Sequence, residues 1–419
     1  MAKSWNRTET WLTLIVVGVG GLLLAIAGLW VYVSATSAPL HPDAQNVPSM
    51  TDSDPSQMWA DAVERGRQIM RTGLAAQNLP GLSVAVGIDG DMVWAEGFGW
   101  ANLQTKVPVA PETKFRIGTA SIPLTSAAVG LLLEEGRLKL DEEIQTYVPE
   151  FPKKQWAVTL GQLMAHTAGI GSDGGDEGPL FSEHCERPVE ALQHFANREL
   201  RFEPGTQYRY SRYGFIAVSA AVEAIAKEPF LTFMREEIFE PLGMQHTMAD
   251  SDRFTDSDSD DDADPIPGQA TSYFPRFAAD PRYGQDPMRP VNYSCYAGSS
   301  VFLSTPSDLV RFAMALTSGK LLQSDTVQLL QTPQRLPSGQ ETGYGLGWDL
   351  ETVTLAGEQT RVVGHDGDLG GGIVASLMAF RERGIFVAVI SNTSYADTAS
   401  LALQVAEAFA QQAGRPRRK

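Results

Sequence analysis

The chain has 419 residues, of which 43% are hydrophobic and 20% charged, and its formal net charge at pH 7 is −17. This composition is that of a globular protein with enough apolar residues for a buried core, which excludes a disordered chain. The acidic balance argues against a nucleic-acid partner, because counterion release on binding requires clustered lysine and arginine.

The first predicted element is a membrane-spanning helix. The segment from Trp11 to Val33 carries no charge, and at ~1.5 Å per residue it is long enough to cross a bilayer core of about 30 Å. Lys3 and Arg7 precede it, so the positive-inside bias places the N-terminus in the cytoplasm and the body in the periplasm or outside the cell. A cleaved signal peptide is the alternative, although its apolar region is typically about 7–15 residues.

The chain divides into a short terminus, the helix and a large body. A Ser-, Pro- and Asp-rich stretch after the helix is typical of a linker. The predicted divisions are a cytoplasmic N-terminus (1–10), a transmembrane anchor (11–33), a linker (34–57), a folded domain (58–414) and a basic tail (415–419).

Within the body, strands near both ends enclose a helical middle. A hairpin is expected around Asp89-Gly90-Asp91, because the residues on either side alternate between apolar and polar. Sheet is also expected over 343–357 and 373–393. Helical periodicity predicts helices over 58–78, 122–136, 158–170, 191–200, 214–244, 306–319 and 399–414. This order predicts one mixed sheet closed by N- and C-terminal segments, with a helical insert.

Two features bear on metal binding, and the sequence predicts no metal site and no cofactor. Cys185 and Cys295 are the chain's two cysteines, so a thiolate zinc site is unsupported. An exported protein could join them in a disulfide if they lie close enough in space. The acidic run 249–268 lacks the Gly and Glu of a calcium loop, and a solvated insertion is the simpler interpretation.

Seven short motifs, in order, carry a resemblance to a known family. They are FRIGTAS (115–121), LMAHTAGI (163–170), PGTQYRYSRYGF (204–215), PLGMQHT (241–247), YAGSSVFLSTPSDL (296–309), GYGLGW (343–348) and GHDGDLGGG (364–372). Over residues 60–412 the chain resembles the β-lactamase-related serine hydrolases, the group of class C β-lactamases, DD-peptidases and related esterases. The resemblance implies an α/β fold of the β-lactamase/penicillin-binding type, with a mainly antiparallel sheet flanked by helices and a helical subdomain.

The chemistry implied by the resemblance is acyl transfer through an S-x-x-K motif, in which the serine attacks a carbonyl and the lysine takes or relays its proton. Several positions of this site are altered here. The implied positions are Thr119 for the nucleophile, Ile122 for the lysine, Tyr210 for the assisting tyrosine, Arg212 for an asparagine, His365-Asp366-Gly367 for the strand beside the pocket, and the N–H groups of Thr119 and Asp368 for the oxyanion hole.

The substitutions differ in their expected cost. Thr119 keeps a hydroxyl, but its methyl group stiffens the side chain. Ile122 removes the proton carrier, and loss of positioned acid–base help costs roughly 10²–10⁴-fold in rate. Arg212 cannot act as a base, although it could grip a carboxylate with two hydrogen bonds. Asp368, if it turned inward, would oppose a developing oxyanion.

Each residue also has a structural interpretation. Thr119 could merely cap the next helix, Tyr210 could be a core tyrosine with a satisfied hydroxyl, and Arg212 could form a surface ion pair. His365 could be buried and structural. Ser121 is a neighbouring hydroxyl that has no lysine three residues on.

Three functions remain open at this stage. The first is a membrane-anchored, hydrolase-fold protein with weak or no acyl transfer, which binds a small-molecule or peptide ligand of the cell envelope. The second is an active esterase or peptidase that uses Thr119, with Tyr210 as base. The third is a non-catalytic, membrane-tethered interaction module whose contact is the acidic run 249–268.

Overall fold

A computed structural model gives the fold of most of the chain. It describes residues 7–36, 38–52, 55–171, 184–250, 266–277, 279–288, 291–369 and 372–414. The basic tail and most of the acidic run considered above as a calcium loop or partner contact lie outside the described residues.

The helices and strands follow in chain order. The helices are α1 (Arg7–Thr36), α2 (Ala60–Ala76), α3 (Ile122–Glu134), α4 (Leu160–Met164), α5 (Arg212–Ala226), α6 (Phe230–Phe233), α7 (Glu240–Leu242), α8 (Pro306–Thr317), α9 (Ser324–Leu330) and α10 (Thr398–Ala413). The strands are β1 (Ser49–Thr51), β2 (Gly81–Ile88), β3 (Asp91–Asn102), β4 (Val107–Pro108), β5 (Phe115–Arg116), β6 (Met248–Ala249), β7 (Tyr273–Pro275), β8 (Gln285–Pro287), β9 (Phe302–Ser304), β10 (Asp349–Leu355), β11 (Glu358–Leu369), β12 (Ile373–Phe380) and β13 (Ile385–Ser391).

The main sheet runs in the order β1-β3-β2-β13-β12-β11-β10, and neighbouring strands along it are antiparallel. Strand β2 of the N-terminal hairpin pairs with the C-terminal strand β13, so segments from both ends share one sheet, as the sequence predicts, but the sheet is antiparallel along this path and not mixed. Asp89 and Gly90 join the hairpin with φ of 52° and 94°, which fits a turn that needs two left-handed residues.

Both faces of this sheet are covered, which is why every residue of β2 is buried. Val84 and Val86 contribute to a core under α2 and α10, while Ala85 between them belongs to the core shared with the helical part of the domain. This alternation is the period of two that a strand imposes. A Cβ on Gly87 would lie 2.5 Å from the Met314 sulfur of α8, so a glycine lets that helix approach the sheet.

Two predicted segments fold differently, for local reasons. The helix expected over 191–200 is replaced by a 3₁₀ turn, Pro188–His194, which already buries its apolar residues. The long helix expected over 214–244 ends at Lys227, whose φ is 64°, because Pro229 two residues later disfavours continued helix. A π-helical segment, Met234–Phe239, joins α6 to α7. Within the segment predicted as a linker, β1 pairs with β3.

Helix α1 is long and apolar enough to cross a membrane, with a candidate span of Leu14–Ala35. Its large side chains are exposed, including Val16 at 67% and Leu24 at 76%. An apolar patch of this kind on a soluble surface is unfavourable. The helix also touches the folded domain, because Trp30 Nε1 donates a hydrogen bond to Tyr283 Oη at 3.3 Å.

The two cysteines form a disulfide, which resolves the alternative left open by the sequence. Cys185 and Cys295 are 110 residues apart in the chain, with Cα atoms 4.9 Å apart. The disulfide attaches Cys185 to the turn Ser294–Tyr296, which contains Cys295. A hydrogen bond from the Cys185 N–H to Ser294 Oγ, at 2.9 Å, joins the same two segments. Closing so long a loop restricts the unfolded chain strongly.

We therefore expect the double variant Cys185→Ala/Cys295→Ala to lose about 2–4 kcal/mol of unfolding free energy, because the unfolded chain regains the freedom of the loop. Urea unfolding of the full chain in detergent micelles, followed by tryptophan fluorescence, measures the loss. Dithiothreitol should reproduce it in the wild type and leave the variant unchanged. Equal stability of the two oxidised proteins would contradict the prediction.

Candidate functional site

The candidate site is built around a tight turn that follows β5. Residues Gly118–Ser121 form a 3₁₀ turn that leads into α3, and Thr119 is buried within it. Strand β11 passes directly over this turn. A Cβ on Gly367 would lie 2.0 Å from the Ile117 carbonyl oxygen, so only glycine lets the strand come this close.

The Thr119 hydroxyl shares an acceptor with His365. Thr119 Oγ1 donates to the Asp366 carbonyl oxygen at 3.1 Å, and His365 Nδ1 lies 2.6 Å from the same oxygen. His365 Nε2 lies 2.9 Å from Tyr344 Oη. Because a carbonyl oxygen only accepts, His365 Nδ1 is the donor in its bond to Asp366. Both ring nitrogens are thus engaged, and the threonine proton points at a carbonyl, which is not a base.

Ile122 and Lys114 decide whether an ammonium serves this hydroxyl. Ile122 is fully buried in the apolar core, where its Cγ2 packs near Gly347. The Lys114 ammonium donates instead to the Pro267 carbonyl at 2.8 Å. Within the described part of the chain, no lysine hydrogen-bonds to Thr119.

Tyr210 is positioned by the turn that follows α4. The His166 carbonyl accepts from the Arg209 N–H at 2.9 Å, and His166 Nδ1 accepts from the Ser211 N–H at 3.3 Å. The His166 ring then packs against Tyr210 and Tyr344, with centroids 4.3 and 4.6 Å apart. These contacts hold Tyr210 beside Thr119 at the start of α5.

The protonation of these rings follows from their burial. Burial raises the pKa of Tyr210 well above its ordinary value, and the opposing effects of Thr119 and Arg212 are smaller. Tyr210 is therefore a neutral phenol near pH 7, which disfavours a phenolate base. Burial, with a smaller contribution from the nearby His365, lowers the pKa of His166 to about 3. His166 is therefore neutral, as its role as an acceptor for Ser211 requires.

Arg212 is the least expected feature of the site. It is the first residue of α5, and its side chain is 2% exposed. Neither Nη1 nor Nη2 has a hydrogen-bond partner among the described residues. The guanidinium carbon lies 6.0 Å from the centroid of the Tyr296 ring. A surface ion pair, the structural interpretation of this residue, is excluded by its burial.

The remaining sequence-predicted residues separate into inward and outward groups. Val363 belongs to the core on the helical side of the sheet and Val362 to the core under α2 and α10, so the alternation of β11 puts His365 and Gly367 on the Thr119 side. Asp368 falls on the opposite face and is exposed, so its carboxylate does not turn toward Thr119.

Two alternatives for the hydroxyls also fail on geometry. Thr119 does not cap α3, because the N-cap position belongs to Ser121. Ser121 is fully buried, which leaves no room for a substrate to reach its hydroxyl. For metal binding, the ligand atoms of Cys185, His194 and Cys295 lie within 4.8 Å of one another, but both sulfurs are consumed by the disulfide.

Sequence reasoning missed three contributors to the site. His166 and Tyr344 lie within quoted motifs but received no role in binding or positioning the site, and the Asp366 carbonyl is a backbone group. A usable signal was present, since LMAHTAGI and GYGLGW each put an aromatic or imidazole ring beside turn glycines. The hydrogen bond from Thr119 to the Asp366 carbonyl joins residues 247 apart in the chain, and local sequence patterns do not reveal such a contact.

Comparisons with known proteins agree on one family. A family model described as Beta-lactamase matches residues 67–410. The human mitochondrial serine beta-lactamase-like protein LACTB is 25% identical over 84% of this chain and 81% of its own, and the penicillin-binding protein 4* of Bacillus subtilis is 25% identical over 66% and 60%.

Solved structures show the same fold at lower identity. The D-amino acid amidase of Ochrobactrum anthropi SV3, complexed with L-phenylalanine amide, superposes with a TM-score of 0.70 at 22% identity, over 84% of this chain and 100% of its own. An octameric penicillin-binding protein homologue from Pyrococcus abyssi gives 0.67 at 23% identity, over 84% and 78%.

The buried, neutral His166 makes stability depend on pH. Its folded pKa is about 3, below the unfolded value near 6.5, so the unfolded chain binds the extra proton and stability falls as pH drops below about 6.5. From pH 7 to pH 5 we expect a loss of about 2 kcal/mol from this residue. Urea unfolding of the full chain in micelles at the two pH values should show it.

A His166→Gln variant should lose this pH dependence, while a His246→Gln variant, altered outside the site, should keep it. The same drop from pH 7 to pH 5 in His166→Gln as in the wild type would show that another group is responsible.

Proposed function

The chain belongs to the beta-lactamase family, and from that premise we propose that it is a membrane-anchored member that does not carry out acyl transfer and uses the family pocket to bind a ligand. The ligand we propose is a small molecule or peptide of the cell envelope. The support is that the chain has the family's fold, while the positions that the resemblance gives to the activating residues hold other residues.

The observation that carries the proposal is the direction of the Thr119 proton. Its hydroxyl donates to the Asp366 carbonyl oxygen, and the position of the lysine holds the buried Ile122. Nucleophilic hydroxyls need an adjacent base. The tyrosine that the family resemblance assigns as base, Tyr210, is a neutral phenol whose pKa burial raises, so it would release its proton reluctantly.

The rival proposal, an active hydrolase that uses Tyr210 as a phenolate, depends on stabilisation by Arg212. The guanidinium does lower the pKa of Tyr210, but burial raises it by more. Charge alone therefore does not make the tyrosine a base near pH 7, and the ligand-binding proposal is the better supported.

For membrane anchoring we propose that α1 spans the bilayer, with its N-terminus in the cytoplasm and the folded domain on the opposite side. The support is the apolar span Leu14–Ala35 and the cationic residues before it. Wide exposure of apolar side chains along α1 is explained at once if lipid surrounds the helix.

The first test asks whether Thr119 forms an acyl-enzyme. We expect full-length protein in micelles to hydrolyse p-nitrophenyl acetate no faster than its Thr119→Ala variant, because the hydroxyl has no base. A fluorophosphonate probe should add no mass to the peptide that contains Thr119. Mass spectrometry and absorbance measure both. An adduct on Thr119, or hydrolysis lost in Thr119→Ala, would refute the proposal.

A gain-of-function variant gives the matched comparison. Thr119→Ser/Ile122→Lys/Arg212→Asn restores the family pattern, and we expect its hydrolysis to exceed that of the wild type by about 10²-fold or more, because a positioned base contributes on that scale. Circular dichroism checks that the buried lysine is tolerated. The labelling test on the wild type stands independently of this variant.

The second test concerns the membrane. We expect the full chain to stay in the pellet after carbonate extraction, whereas a variant lacking residues 2–36 should be released. With membrane-impermeant maleimide, Lys3→Cys should label only from the cytoplasmic side and Lys106→Cys only from the other side, because α1 separates them. Labelling of both cysteines from one side would contradict the orientation.

A further inference from the structure

The guanidinium of Arg212 is a buried positive charge that the described residues leave without a hydrogen-bond acceptor at its terminal nitrogens. It is 2% exposed, and its two terminal nitrogens make no hydrogen bond in the described part of the chain. Arginine stays protonated in proteins, so this charge cannot be removed by loss of a proton. A buried charge without a counter-ion is strongly unfavourable, so this guanidinium favours an anion as its partner.

Its surroundings add to the same potential. Arg212 is the first residue of α5, and the N-cap Ser211 makes no side-chain capping bond. A helix N-terminus carries a partial positive charge and unsatisfied N–H groups, so it favours an anion. The ring of Tyr296 faces the guanidinium, and a neutral aromatic ring supplies no counter-charge.

Tyr210 offers a second donor beside Arg212. Its Oη is buried, and a hydrogen-bond contact with Thr119 lowers the pKa of the phenol against the larger effect of burial. The Arg212 guanidinium is also close enough to lower that pKa. The neutral phenol can donate a hydrogen bond, as the guanidinium does.

We propose that Arg212, with Tyr210 Oη, receives a carboxylate group of the ligand, so that the natural ligand of this pocket is a carboxylate-bearing molecule. This inference deepens the ligand-binding function proposed above and rests on it. A carboxylate is favoured over a phosphate because its single negative charge is balanced by one guanidinium, whereas a phosphate group carries about −1.5 to −2 near pH 7.

The experiment measures reversible binding of small probes to the full chain in micelles, by calorimetry and thermal shift at constant ionic strength. The probes are acetate, its neutral isostere acetamide, and inorganic phosphate. Wild-type protein should bind acetate at least about 10-fold more tightly than acetamide, because the neutral isostere loses the paired hydrogen bonds to a charged group. It should also bind acetate more tightly than phosphate, because the additional negative charge and bulk of phosphate must be desolvated without a second cation.

Two variants assign the effect to Arg212. Arg212→Met should abolish the preference for acetate, and Arg209→Met, an exposed arginine three residues earlier, should keep it. Without any probe, Arg212→Met should melt at a higher temperature than the wild type, because it removes an uncompensated charge. If Arg212→Met does not fold, Arg212→Lys tests the same point and should weaken acetate binding through loss of the fork.

The outcomes separate this inference from the proposed function. Equal binding of acetate and acetamide, tighter binding of phosphate, no binding of acetate, or an unchanged preference in Arg212→Met would each overturn the carboxylate assignment. None of these probes can be hydrolysed, so the results do not depend on acyl transfer. Should Thr119 prove to be an active nucleophile while acetate binding still requires Arg212, the proposed function fails and the carboxylate assignment stands for a substrate.

Discussion

One carbonyl oxygen, that of Asp366, organises the whole site by accepting hydrogen bonds from both Thr119 and His365. Because it is a backbone group of β11, its position is set by the sheet and not by a side-chain rotamer. The close approach it requires explains the glycine at 367, where any Cβ would strike the Ile117 carbonyl. The same bond carries the proposal of an idle nucleophile, since a hydroxyl whose proton points at a carbonyl lacks, in this arrangement, the base that nucleophilic attack needs.

Compared with the family pattern, the positive charge of this site lies at a different position and belongs to an arginine instead of a lysine. The resemblance implies a lysine one helical turn after the nucleophile, where this chain has an isoleucine that packs in the core. It also implies a neutral amide where this chain has Arg212. A lysine can exchange its proton, whereas a guanidinium in a protein cannot. The altered site therefore keeps a cation near Tyr210 but has exchanged a group suited to proton transfer for one suited to holding an anion.

The sequence predicted the sheet better than it predicted the site. Hairpin β2–β3 followed from alternation and an Asp-Gly turn, which are local signals. The replacement of the lysine by Ile122 was visible in the motif, and its burial follows from the apolar helix around it. What escaped prediction are contacts that only the fold creates. The shared carbonyl joins residues far apart in sequence, and the disulfide depends on how a loop returns to the turn at Cys295.

The state of Arg212 illustrates the same limit. As a residue type in a motif, arginine is compatible with a surface ion pair, because surface arginines commonly pair with acids. Arg212 is buried because α5 begins close to the turn at Tyr296. The start of α5 is fixed in turn by hydrogen bonds from Arg209 and Ser211 to His166. These contacts join distant parts of the chain, so the sequence alone does not reveal them.

The energy of Arg212 also separates the competing functions. Folded domains are stable by only about 5–15 kcal/mol, and a buried charge without a partner costs a substantial part of that. A tether that acted only through its outer surface would gain stability from an apolar side chain at this position, and would lose nothing by it. A pocket that binds an anion needs the arginine, because the unfavourable energy of burying its charge is offset when the anion binds. The guanidinium, whose terminal nitrogens have no hydrogen-bond partner among the described residues, therefore favours the proposed ligand pocket over the proposal of a surface tether.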